Sequence, residues 1–335
     1  MPDNHSSPLF SIVIPAYNAQ RFLPLTLESI FRQTVRDYEI VVVNDGSTDG
    51  TLEMLQGVSD PRLRIVTQDN GGECAARNRG IKEAGGQYIA LLDADDAWCP
   101  NHLEIMLHHI QKHADISWFV APVQIVPDIK PEDLTPARDN GCTITNWYLE
   151  AHIIPASSST VVKREIITSI PDIFPVGHKM FGDALGWARL AKRHPKIAVV
   201  DVRTVLYRFW NGNASTTHNV SPRGVRSEAV KMALARHAEF YREPDCPEEA
   251  KLYYRHFALG NWWACISSAF LPEEWQKDFA AREDVVGKGC TRWMRLWAGI
   301  GRLPLCAMRW GVRMCRLSVE RKMRRLAKAS RIHFN

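Results

Sequence analysis

The sequence predicts an α/β fold: a doubly wound, mostly parallel sheet with flanking helices, followed by a helical C-terminal region. Three observations carry that prediction. The runs FSIVIP, IVVVN and YIALL are short, apolar and bounded by turn residues, as strands covered on both faces require. Stretches with helical spacing separate them. From about Arg223 the pattern turns helical, with no further strand signal.

Taken in order, Phe10–Pro15 is a β-branched run stopped by proline, hence a strand. Arg21–Gln33 follows, with Phe22, Leu23, Leu27, Ile30 and Phe31 at helical spacing. Ile40–Asn44 is the second strand. DGSTDGT breaks it, and Ser47 or Thr48 is the expected cap of a helix through Leu55. Leu63–Thr67 is a third strand. A helix from about Cys74 to Ala84 ends at Gly85-Gly86, and the strand Tyr88–Leu92 follows. A helix starts near Asn101. Ile116–Val126 reads as one further strand and Pro127–Gly141 as an exposed, proline-rich loop. Ser157–Lys163, Lys196–Val200 and Arg203–Trp210 are strand candidates, and Phe181–Arg193 is helical.

The chain has 335 residues, 45% of them hydrophobic and 24% charged, ordinary values for a globular protein with one large domain and an appendage. Its eight cysteines form no C-x-x-C pair, which argues against a zinc site or a disulfide framework and suits a reducing compartment. MPDNHSSPLF has neither the basic nor the apolar region of a signal peptide. No uncharged apolar run approaches the roughly 20 residues of a spanning helix. Charge is uneven. From Lys288 onward there are 13 Lys and Arg against one acid, Glu320, whereas the rest carries 29 basic and 36 acidic residues.

The strand Tyr88–Leu92 runs into three carboxylates, Asp93, Asp95 and Asp96. Open α/β sheets bind ligands at the carboxyl ends of their strands. Two carboxylates one residue apart on a loop suit a hard divalent cation shared with nucleotide phosphates. A solvated acidic turn is the competing explanation for such a D-x-D alone.

Three segments precede it in order. SIVIPAYNA, EIVVVNDGSTDGT and QDNGGECAARNRGIKEAGGQYIALLDADDAW together resemble the nucleotide-sugar half of family 2 glycosyltransferases, inverting enzymes with the GT-A fold. GT-A is a Rossmann-like, mostly parallel sheet with flanking helices. The resemblance is close over Ser11–Trp98, weaker to about Thr216, and absent beyond. It implies that Pro15 and Tyr17 hold base and ribose, where a dehydrogenase would carry G-x-G-x-x-G. It implies that Asp45 accepts the N3–H of uracil, hence a UDP-sugar donor. Arg77 resembles the family arginine facing the phosphates. Asp95 matches the direct ligand of Mg²⁺ or Mn²⁺, Asp93 the contact to ribose or sugar, and Asp96 is a spare or supporting group. Asp49 reads instead as a helix-start residue.

An inverting transfer needs a general base on the acceptor side. The family places an aspartate at a helix start, in x-E-D. Here the stretch is Met180-Phe181-Gly182-Asp183: glycine replaces the glutamate, and Asp183 is the expected base, with His178 in reserve. Arg208 and His218, in and after YRFWNGNAST, receive no role. The Q-x-x-R-W signature of processive synthases is missing, so a single addition is expected.

Arg295, Arg302, Arg309 and Arg316 recur every seven residues among tryptophans, leucines and methionines. That pattern suits an interfacial helix on an anionic membrane, or a helix packed on the body with its basic face solvated. The combined expectation is a transferase domain over 1–220 (1–98 donor half, 99–220 acceptor half), a helical extension over 221–287 and a basic tail over 288–335. It would act on a cell-envelope glycan or lipid-linked acceptor, at the cytoplasmic face of the membrane and without nucleic acid. A degenerate scaffold or glycan-binding module and a nucleotidyltransferase are the alternatives.

Overall fold

A computed structural model of the chain describes residues 7–149, 156–178, 181–209, 234–268, 305–330 and 332–334. Its centre is the predicted parallel unit. β1 (Phe10–Ala16) lies between β2 (Tyr38–Asp45) and β4 (Tyr88–Leu91), both parallel to it, and β3 (Leu63–Gln68) extends the sheet beyond β2. The sheet order is β12-β8-β10-β6-β9-β4-β1-β2-β3. Its other strands are β6 (Trp118–Val120), β8 (Cys142–Asn146), β9 (Thr160–Lys163), β10 (Lys196–Val200) and β12 (Ile332–Phe334). β9 runs antiparallel to β4 and β6, so the sheet is mixed.

Both faces of the centre are buried, which is why its strands read as unbroken apolar runs. Along β1, Ile12 and Ile14 point into one core and Val13 into the other. The first core is covered by α1 (Leu23–Phe31) and α4 (His102–Lys112). The second is covered by α3 (Glu73–Glu83) and α6 (Gly182–Arg193). Gly80 lets α3 approach closely, since a β-carbon there would collide with Val13 Cγ1.

Several expectations need correction. Ile116–Val126 is two strands. Pro122 cannot donate to a ladder, and the chain changes sheets there: β7 (Val123–Val126) joins β11 (Val205–Arg208) and β5 (Ala97–Trp98) in a three-stranded sheet. Ser157–Ser159 is a single 3-10 turn, and only Thr160–Lys163 is extended. The loop after Pro127 is anchored by buried Ile129 and Leu134. The second helix, α2 (Thr51–Gln56), starts later than read. Its first N–H is accepted by Asp49 rather than by Ser47 or Thr48. Strand structure also returns late in the chain, as β12 pairs with β8. Trp210 lies outside the described residues.

α5 (Arg164–Thr168) is a short turn of helix after β9. After a helical stretch at 234–241, α7 (Glu248–Ser268) and α8 (Leu305–Ser330) complete the described chain. They share the second core. Tyr253 packs against Trp147 in a tilted pair with ring centroids 4.5 Å apart, and Tyr254 and Phe257 are buried with them. Cys315, Val319 and buried Met323 turn one face of α8 inward, and Glu320 joins His256 of α7 at 2.9 Å. So this part of the basic tail packs on the body. Arg313, Arg321, Arg324 and Arg325 lie outward beside exposed Met314, Leu317 and Leu326. Residues 288–304, with Arg295, Arg302 and Pro304, lie outside the described residues.

Candidate active site

The carboxylates follow β4 on a turn pinned from three sides. From below, Thr26 of α1 donates its hydroxyl to the carbonyls of Ala94 and Asp96, at 2.9 and 2.7 Å. Ser158 accepts the Asp93 N–H at 3.0 Å and donates to Asp96 Oδ2 at 2.5 Å. Arg208 donates its backbone N–H to Asp96 Oδ1 and its Nε–H to the Asp95 carbonyl, both at 2.9 Å. Asp96 is buried, so its carboxyl is raised well above the ordinary range by desolvation, helped by the charges on Asp93 and Asp95. It is therefore the girder of the turn. Asp93 and Asp95 are only partly buried.

Arg77 projects from α3 into this turn. It is 3% exposed, pairs with Asp93 Oδ1 at 2.6 Å, and is also bridged to Glu73 one helical turn earlier. Its guanidinium lies over the Phe174 ring, 5.7 Å from the centroid. Its buried Nε has no hydrogen-bond partner among the described residues. A buried arginine with an unused donor, paired with the partly exposed Asp93, suits an anionic group with its counter-ion. The hard oxygen donors of Asp93 and Asp95 fit Mg²⁺ or Mn²⁺.

Asp183 begins α6 as expected, and its Oδ1 accepts the Ala184 N–H at 2.8 Å. Burial raises its carboxyl above the usual range. The Arg77 charge opposes that rise and the Asp93 charge adds to it, so Arg77, Asp93 and Asp183 form one electrostatic cluster. The glycine before it has a steric cause: a β-carbon at 182 would meet Cys74 Sγ at 2.5 Å and His178 Cβ at 3.2 Å. Phe181 adopts a left-handed turn, φ 57°, to admit it. His178 sits across from buried His237, with ring centroids 6.5 Å apart.

Glu73 belongs to this cluster and was not foreseen. The Arg77 charge pulls its carboxyl down most strongly and the charges on Asp93 and Asp183 oppose that pull, while its side chain keeps 53% of its surface in water. The sequence signal was an acid and an arginine four apart on one helix face. Ser158 and Arg208 were also missed, since hydroxyls and late arginines carry no spacing signature.

Asp45 ends β2 buried. Its Oδ1 accepts from Gln68 Nε2 at 2.7 Å and the Gly71 N–H at 2.8 Å, and its Oδ2 accepts the Gly72 N–H at 2.9 Å. It thus shapes the Asn70-Gly71-Gly72 loop. Pro15 is buried in β1, and Tyr17 is 53% exposed beyond it. Asn18 crosses to the β2–α2 loop, its Oδ1 accepting the Thr48 N–H at 2.8 Å. The segment 210–216 and His218 lie outside the described residues.

The profile of Glycosyl transferase family 2 matches residues 11–163. Glycosyltransferase GlyG of Streptococcus pneumoniae serotype 4 is 40% identical over 229 residues, covering 63% of this chain and 74% of GlyG. A chondroitin synthase of Pasteurella multocida is 42% identical over 110 residues, but the chain spans only 11% of that protein's length. Staphylococcus aureus TarS residues 1–349, solved with UDP-GlcNAc, superposes over 94% of this chain and 92% of TarS, with TM-score 0.66 and 18% identity. That likeness shows the GT-A fold, and the GlyG match shows that the chain belongs to the family 2 glycosyltransferases.

Proposed function

We propose a metal-dependent, inverting transferase that moves one sugar from a UDP-sugar to a cell-envelope glycan or lipid-linked acceptor. The observation that carries this reading is the convergence of Arg77, Asp93 and Asp183 in one cluster at the end of β4. TarS, bound to UDP-GlcNAc, supports the donor class, and the chondroitin synthase supports a glycan acceptor.

In this mechanism Pro15 and Tyr17 border the base, Asp45 offers its remaining lone pair to uracil, and Asp93 contacts ribose or sugar. Mg²⁺ or Mn²⁺ held by Asp95 would supply Lewis-acid charge neutralisation to the departing diphosphate. Arg77 orients the phosphates through its fixed fork. Asp183 takes the proton of the acceptor hydroxyl as that oxygen attacks the anomeric carbon opposite UDP. Its raised affinity for protons makes it a better base than a solvated aspartate.

Residues 1–220 form the transferase unit in this reading, with 221–287 as helical extension. The exposed arginines and apolar residues of α8 support contact of 288–335 with anionic lipid at the cytoplasmic face. No helix among the described residues is long and apolar enough to cross a membrane. The test is a screen of UDP-sugars for metal-dependent UDP release, with and without membrane extract. UDP release from one donor, abolished by EDTA, is expected. No release from any UDP-sugar, or release indifferent to chelation, refutes the reading.

A further inference from the structure

A second group of metal-type side chains lies away from the active site. One ring nitrogen of His109, one of His113 and the Cys142 sulfur lie within 4.8 Å of one another, and all three residues are buried. His109 and His113 are one helical turn apart at the end of α4, and Cys142 opens β8. β8 is four strands from β4 in the sheet, about 19 Å at the usual strand spacing.

His109 is arranged as metal ligands are. Its Nε2 meets Asp139 Oδ1 at 3.0 Å, and the same oxygen accepts the Gly141 N–H at 2.9 Å. A carboxylate on Nε2 fixes the proton there and leaves the lone pair on Nδ1. That Nδ1 is buried with no hydrogen-bond partner among the described residues. A buried, unused acceptor is costly unless something binds it.

We propose that His109, His113 and Cys142 form a site for a borderline-soft divalent ion of the Zn²⁺ class, with Asp139 orienting His109. Imidazole and thiolate together select such an ion over Mg²⁺ or Mn²⁺. Tetrahedral Zn²⁺ holds its ligand atoms about 3.3–3.7 Å apart. Two metal–nitrogen bonds and one metal–sulfur bond form, and the Cys142 thiol releases its proton to solvent. The ion clips α4 to β8, the strand that receives β12 at Cys142–Phe334. A search for C-x-x-C misses the site, because its ligands are H-x-x-x-H and a cysteine 29 positions later.

The experiment uses the whole chain, stripped with chelator and titrated with Co²⁺ and then Zn²⁺. One Co²⁺ per chain should give thiolate-to-metal charge-transfer absorption, displaced by Zn²⁺, absent in Cys142→Ser and retained in Asp95→Ala. X-ray absorption at the zinc edge of the unmutated protein should report one sulfur and at least two nitrogen neighbours. That measurement stands even if the serine variant misfolds. Absence of the charge-transfer band, its survival in a folded Cys142→Ser variant, or an all-oxygen zinc shell would overturn the proposal. None of these outcomes depends on UDP-sugar turnover.

Discussion

Removing Arg77 tests whether one cation holds the site's acids together. Arg77→Ala deletes a buried guanidinium that sits 2.6 Å from Asp93, bridges Glu73 and opposes the rise of Asp183. At an effective dielectric near 20, a unit-charge pair at contact is worth about 4 kcal/mol. Breaking one side of a buried pair typically costs about 3–5 kcal/mol. Asp93 keeps 22% of its side-chain surface in water and Glu73 53%, so the lower end, about 3 kcal/mol, is expected. Urea unfolding at pH 7.5 reads it. A double variant, Arg77→Ala with Asp93→Asn, should be more stable than the single one, because it removes an orphaned charge. A single variant within about 0.5 kcal/mol of wild type, or a double variant that is simply additive, refutes the shared-cation account.

Asp183→Asn should keep UDP binding by calorimetry while transfer falls about 10²–10⁴-fold. In the wild type, transfer should decline with acidification as Asp183 protonates, at a pH above that of an ordinary aspartate; an unchanged transfer rate in the variant places the base elsewhere. Asp95→Ala should abolish metal-dependent UDP release with an unaltered far-UV spectrum, and full activity would remove its assignment as metal ligand. Gly182→Ala should cost about 1–3 kcal/mol by overpacking against Cys74, and Cys74→Ala in the same chain should restore most of it; a lone Gly182→Ala with wild-type stability contradicts the contact. His102 and His237, each pushed down to about 3 by burial, are neutral in the fold. Their stability is present above the unfolded value near 6.5 and lost as pH falls. At pH 5 each costs about 2 kcal/mol, so a urea midpoint equal at pH 7.5 and 5 would refute the burial argument.

The first hundred residues were legible because their central strands are buried on both faces and their turns carry glycine and aspartate. β1, β2 and β4 advertise themselves by composition alone. Asp93, the carboxylate that pairs with Arg77, sat in a motif, whereas Glu73 acquires meaning only when α3 is docked beside the β4 turn. Gly182 looked like a lost glutamate, and the Cys74 sulfur that forbids a side chain there is 108 positions away in sequence. β8 and β12 were unreadable for a different reason. CTITN and IHF are short, and each becomes a strand only because a partner edge is available.

That last pairing has a kinetic side. β1 to β4 and the helices between them form from contacts within the first hundred residues, so this unit can assemble while later segments are still being synthesised. The outer edge of β8 cannot be covered until residues 332–334 exist, nearly two hundred positions after Cys142. Until then the sheet presents an open row of N–H and C=O groups, the kind of template that recruits a neighbouring chain. β12 then becomes the edge itself, but with three residues in place of five it offers a shorter row of free groups and a poorer template for another chain.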